Sequence, residues 1–89
     1  MAAAEQVSPE HQDIFEAIRA EALQVLDIDE ARVTPDAKLG ETLDADSVDL
    51  IEIAGALERT FGVQIDDHEI HDLVTVADFV ALVARKRAT

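Results

Sequence analysis

The stretch from Asp27 to Asp46, DIDEARVTPDAKLGETLDAD, interrupts an otherwise helix-patterned chain with twenty residues in which apolar periodicity fails and Pro35 and Gly40 break any helix. A connection of that length is unusual in a compact domain of 89 residues. It is therefore expected to be pinned, with Ile28, Val33, Leu39 and Leu43 as plugs into a helical core. A loop anchored in this way can hold a reactive segment in a fixed pose.

On either side of this loop the pattern is helical. Ser8 and Pro9 make a helix start, a capping hydroxyl followed by a residue whose missing N–H costs nothing there. Helix I is expected to run to about Leu26, with Ile14, Ile18, Ala22 and Val25 or Leu26 at spacings of three and four. A second helix spans about Ser47 to Phe61, with Leu50, Ile53, Ala54, Leu57 and Phe61 inward, and ends before Gly62, which tolerates positive φ. A short helical turn is expected around Asp67 to Leu73, and a last helix capped by Thr75 buries Val76, Phe79, Val80 and Val83. Val63 and Ile65 alternate as in a strand but have no partner run. The fold class is all-α: a small four-helix bundle, three main helices plus a short third one, with a long pinned loop between helices I and II. Residues 1–7 read as a flexible tail and 8–87 as one domain.

Composition narrows the function. Twenty acids against seven bases give a net charge of -13, a field that repels nucleic acid and anionic membrane and attracts basic protein surfaces. Residues 41–72 hold ten of the acids and a single base, Arg59, and so carry -9 of that charge. General solubility accounts for the total, whereas the clustering points to a docking face. The amino terminus lacks a secretory pattern and no apolar run could cross a bilayer, so a soluble, cytoplasmic monomer is expected. There is no Cys, so any thiol the protein uses must be imported.

Ser47 lies where the acidic turn DADS meets the second helix, with Asp44, Asp46 and Asp49 around it and no His or Cys nearby in sequence. One reading is capping: Asp or Ser oxygens accept from free N–H groups, and Asp46 with Asp49 three residues on imitates a capping box. A calcium loop fails, because counting from Asp44 puts Val48, Asp49 and Gly55 where such a loop needs an acid, a Gly and a Glu. Catalysis by the chain itself lacks a nucleophile tied to a base, since His11, His68 and His71 have no link to Ser47.

The run Asp46-Ser47-Val48 at the start of the second helix resembles the Asp-Ser-hydrophobic motif of acyl carrier proteins. The likeness continues without a gap from about Ile14 to Ala84, through Leu26 and Ile28, Val33 and Leu39, Leu43, SVDLIEIAGALERTFG, Ile65, Ile70 and VTVADFVALV. The resemblance implies that Ser47 is a substrate, esterified with 4'-phosphopantetheine from coenzyme A by a phosphopantetheinyl transferase (holo-acyl carrier protein synthase), and that the arm's thiol carries acyl groups as thioesters. It also implies docking through Asp46, Val48, Asp49, Ile51, Glu52, Glu58 and Asp67 onto basic patches of acyl transferases or ligases, ketosynthases and other acyl-processing enzymes. Ile51 can equally be partial core. Leu50, Ala54, Phe61 and Ile65 are expected to line an acyl pocket between helices II, III and IV, because a core of aliphatic side chains opens more readily than interlocked rings.

The chain departs from the family pattern at several points. Val48 stands where Leu is common, Asp44 where Gly is usual before the motif, and Gly55 where a larger apolar residue is frequent. His68 and His71 replace acids; they read as solvated surface histidines rather than, with Asp72, a metal site. These changes leave the pathway open between fatty acid, polyketide and related lipid synthesis, or aminoacyl and other specialised cargo. An unmodified acidic adaptor or divalent-cation-binding helical module is the rival from a different class.

Overall fold

A computed structural model describes residues 7–88. Four α-helices follow one another: α1 Gln12–Val25, α2 Ser47–Phe61, α3 Asp67–His71 and α4 Val76–Ala88, with 3-10 turns at Pro9–His11 and Glu30–Arg32. No strand occurs among the described residues, and the one β-bridge pairs Lys38 with Thr75.

The α1 stripe is buried as its period requires, with Ile14, Ile18 and Ala22 inward, and Phe15 widens it. The Arg19 guanidinium covers that ring at 5.4 Å. Against α1 pack Leu50, Ile53, Ala54 and Leu57 of α2 and Val76, Phe79, Val80, Leu82 and Val83 of α4, in a single core. The start differs from expectation. Pro9 does occupy a first helical position, but the Ser8 hydroxyl caps nothing: the Ser8 carbonyl accepts the His11 N–H at 2.8 Å and the first turn is 3-10. Of the expected tail, residues 1–6 lie outside the described residues, while Val7 packs half-buried on the core.

The long loop is pinned by Val33, Leu39 and Leu43, all nearly inaccessible, with Ala37 and Ala45 as further buried contacts; Ile28 is only half-buried. Hydrogen bonds then fix its path. The Val76 and Ala77 N–H groups at the start of α4 donate to the carbonyls of Ala37 (3.0 Å) and Pro35 (2.8 Å), and Leu39 N–H donates to Val74 O (2.8 Å). The loop thereby satisfies donors that every helix start leaves free. Thr75 completes the cap, its Oγ1 accepting from Asp78 N–H at 3.1 Å while Asp78 Oδ2 accepts from Thr75 N–H at 3.0 Å.

The other ends are closed in the same manner. Gly62 adopts φ 67° at the end of α2, the left-handed conformation that glycine reaches without steric cost. Basic residues in the last turn of α4 reach acids on other elements: Arg87 pairs with Asp13 at 2.7 Å and covers the Phe61 ring at 5.3 Å, while Lys86 pairs with Glu69 at 2.9 Å.

These contacts give a pH signature. Hydrogen bonding to Arg87 lowers the Asp13 carboxyl below its ordinary 3.8, and the Asp66 N–H, followed by Lys86, lowers Glu69 below its ordinary 4.5. A depressed folded-state value means that the stabilisation is complete above the ordinary carboxylate range and is lost as pH falls through the folded value. Urea titrations below pH 5 are expected to show Asp13→Asn losing less stability on acidification than the parent protein; identical acid limbs would remove Asp13 from the account.

Candidate functional site

Asp46 is the residue that caps α2. Its Oδ1 accepts the Asp49 N–H at 2.9 Å, and Asp49 Oδ2 accepts the Asp46 N–H at 3.2 Å, so two otherwise free donors are satisfied reciprocally. Ser47, first residue of the helix, is exposed, and its hydroxyl makes no hydrogen bond among the described residues. Capping therefore does not explain the serine, because the neighbouring aspartate has taken that role.

The approach to Ser47 is held from behind. Leu39 O accepts the Ala45 N–H at 2.9 Å, and Leu39 N–H is bound to Val74 O, so hydrogen bonds link the α3–α4 connection to the residue two before the serine. Ala45 itself is buried. Asp44, between Leu43 and Ala45, takes φ 57°, left-handed for a non-glycine residue. Asp tolerates that region better than most, at about 1 kcal/mol relative to relaxed backbone. Glycine would meet the same need, and the departure seen at this position leaves the geometry intact.

Around Ser47 the residues singled out from the sequence fall into three environments. Asp46, Glu52 and Asp67 are exposed, and so are the apolar Val48 (65 %) and Ile51 (40 %), which places Ile51 on the surface rather than in the core. Asp49 and Glu58 are half-buried and already engaged: Asp49 in the capping box, and Glu58 through Oε2, which accepts the Ile65 N–H at 2.7 Å and ties the end of α2 to the segment before α3. Leu50, Ala54 and Ile65 are buried together in the core, and Phe61 is half-buried beneath Arg87.

A cleft of about 420 Å³ lies elsewhere, between α3 and α4, lined by His68, Asp72, Leu73, Leu82 and Arg85 among others. It shares no residue with the four expected to line an acyl pocket. Among the described residues no group of three or more His, Cys, Asp and Glu side chains could hold a metal ion, and His68 and His71 are exposed on α3.

Two surface features escaped sequence reasoning. Val74, in the α3–α4 connection, is 54 % exposed, a lone apolar residue that its sequence context does not distinguish. The Arg59 guanidinium folds back along the helix, its Nη1 at 3.8 Å from the place a Cβ on Gly55 would take. A glycine four residues before an arginine on a helix was the available signal.

What Ser47 can accept follows from this environment. Its hydroxyl is exposed and, among the described residues, unpartnered at the positive end of a 15-residue helix, where the charge of an attached phosphodiester is favoured. The residues present therefore fit a covalently attached phosphopantetheine.

Comparison with known proteins agrees with that chemistry. Residues 16–83 match a family described as "Phosphopantetheine attachment site". A protein named acyl carrier protein from Thermotoga maritima is 36% identical over 75 residues, covering 84% of this chain and 93% of its own. Its namesake from Helicobacter pylori (strain G27) is 41% identical over 70 residues, 79% of this chain and 90% of its own. That of Thermosynechococcus vestitus is 40% identical over 76 residues, 85% of this chain and 94% of its own. With a helical bundle of the expected architecture and a match across the whole of α2, the chain belongs to the acyl carrier proteins, the family that holds acyl groups on a 4'-phosphopantetheine arm.

Proposed function

We propose that Ser47 Oγ is the attachment oxygen, and that α2 with its flanks is the face through which the carrier meets its enzymes. The observation that carries this reading is the division of labour at the α2 start: Asp46 and Asp49 satisfy the helix, leaving the Ser47 hydroxyl exposed and unpartnered. Ser47 bonds to the phosphorus that bears the pantetheine in coenzyme A, the bond from that phosphorus to the oxygen bridging the two phosphates breaks, and the serine proton passes to a base of the phosphopantetheinyl transferase. The attached arm supplies the thiol that a chain without Cys cannot provide, and holds acyl groups there as thioesters. Ser47 itself needs exposure and a rigid pose, which the capped helix and the hydrogen bonds behind Ala45 supply.

Docking rests on Val48 and Ile51 as apolar contacts ringed by Asp46, Asp49, Glu52, Glu58 and Asp67, complementary to a basic patch. The partners of this reading are the transferase, acyl transferases or ligases, ketosynthases and other acyl-processing enzymes of fatty acid, polyketide or related lipid synthesis. The protein acts as a monomer in the cytoplasm. Leu50, Ala54 and Ile65, buried between α2 and its neighbours, with Phe61 at the far end of α2, are the residues that part to admit a short acyl chain.

Three outcomes test the reading. Incubated with coenzyme A and a phosphopantetheinyl transferase, the protein gains the mass of one arm while Ser47→Ala gains none; because Ser47 is exposed and caps nothing, its loss shifts stability by less than about 0.5 kcal/mol. An arm on Ser47→Ala moves the attachment site elsewhere. Charge reversal separates docking from folding: Glu52→Lys slows acyl transfer at an unchanged melting temperature, whereas Asp49→Lys also loses its half of the capping box, about 1 kcal/mol. Equal melting temperatures for the two variants would deny Asp49 a structural role. Finally, amide resonances of Leu50, Ala54, Phe61 and Ile65 move on acylation of the loaded protein; fixed resonances at all four would mean that the acyl chain stays outside the core.

A further inference from the structure

Gly55 is a residue that this fold does not require. It lies in the middle of α2, outside the left-handed region, and a Cβ added to it would meet only Arg59 Nη1, at the ordinary van der Waals distance of 3.8 Å. Alanine would fit and would favour the helix. The reason for a glycine is then to be sought outside the chain, in a group that comes down onto the helix surface.

Arg59 points to the chemistry of that group. It is the only Lys or Arg between residues 41 and 72, it is exposed, and it makes no hydrogen bond or ion pair among the described residues. At about 100° per residue, Val48, Gly55 and Arg59 fall within about 40° of one line along α2, with Glu52 beside them. The exposed stripe that begins with Val48 next to Ser47 thus ends in an uncompensated guanidinium over bare backbone. A docking face that served basic patches alone would gain nothing from a cation here.

We propose that Arg59 and Gly55 form a socket for a carboxylate of the phosphopantetheinyl transferase. The glycine lowers the helix surface, and the guanidinium meets the incoming acid with paired N–H donors. The transferase is the fitting occupant because it must bring its active site to the Ser47 oxygen itself, without an arm to span the gap. Gly55 lies about 12 Å along the helix from Ser47 and Arg59 about 18 Å. A standard interface of about 800 Å² per partner has a radius of roughly 16 Å, enough to include Gly55 and the Arg59 guanidinium, which folds back to within 3.8 Å of the Gly55 Cβ position. This inference rests on Ser47 as the attachment oxygen.

The test is loading kinetics of the full-length apo protein with coenzyme A and the transferase of the same host, followed by intact mass. If the face were uniformly acid-seeking-base, Arg59→Glu would make it more complementary and lower the KM for the carrier. The socket requires the opposite: Arg59→Glu raises KM about tenfold at similar kcat and unchanged melting temperature, and Arg59→Lys, with its charge but without the planar fork, falls between. Gly55→Ala raises the melting temperature by several degrees yet raises KM several-fold. Wild-type or lower KM in Arg59→Glu overturns the socket and leaves the Ser47 reading intact. Failure of the parent protein to gain an arm, or a gain on Ser47→Ala, overturns the attachment reading and the socket with it.

Discussion

The hydrogen bonds between the long loop and the start of α4 are the constraint on which the site depends. Twenty residues whose regular structure is one 3-10 turn and one β-bridge present many backbone groups, and buried ones must be paired. Here the carbonyls of Pro35 and Ala37 are used by the first N–H groups of α4, and Leu39 is bonded through both of its backbone groups, to Val74 and to Ala45. Two deficits cancel, that of the loop and that of the helix start. Because Leu39 faces both ways, the position of Ala45 is fixed relative to α4, and Asp46 begins α2 from a held point rather than from a swinging tether. The capping box follows from that placement, and the orientation of Ser47 follows from the capping box.

The parts of this arrangement legible in the sequence are those governed by period. The inward faces of α1, α2 and α4 could be marked because large aliphatic residues recur at three and four, and the Gly62 terminus because one residue type suits its backbone. Val33, Leu39 and Leu43 could be named as plugs for the same reason of size. Ala37 and Ala45, equally buried, could not be, since alanine is as common on a surface as within. Ser8 misled because hydroxyl followed by proline signals a cap, whereas a 3-10 first turn lets the backbone carbonyl serve. Asp49 shows the limit at the site. Its capping role and its proposed place on the docking face were both visible in the pattern, and only geometry shows one oxygen committed to the Asp46 N–H.

Charge is distributed by the same logic. Most cations of the chain hold elements together: Arg19 lies with Glu16 and Glu30, Arg32 donates to the Thr42 carbonyl, Lys38 pairs with Glu41, Lys86 with Glu69 and Arg87 with Asp13. These are mostly exposed pairs, individually worth little, and their effect is to dock the ends of α4 and the loop rather than to neutralise the molecule.

The acids of α2 and its cap are held differently. Asp46, Asp49 and Glu58 each accept a backbone N–H, at Asp49, Asp46 and Ile65 respectively. Neutral donors satisfy the carboxylates without cancelling their charge, so the fold can use these acids as caps and ties while the field they create still reaches solvent. Had the same positions been stabilised by salt bridges to lysine or arginine, the surface would have been electrically spent. A carrier that must attract several enzymes in turn, and release each, benefits from long-range attraction that is screened by salt and from few fixed contacts. Backbone satisfaction of acids is thus the physical link between the stability of α2 and the availability of its negative field.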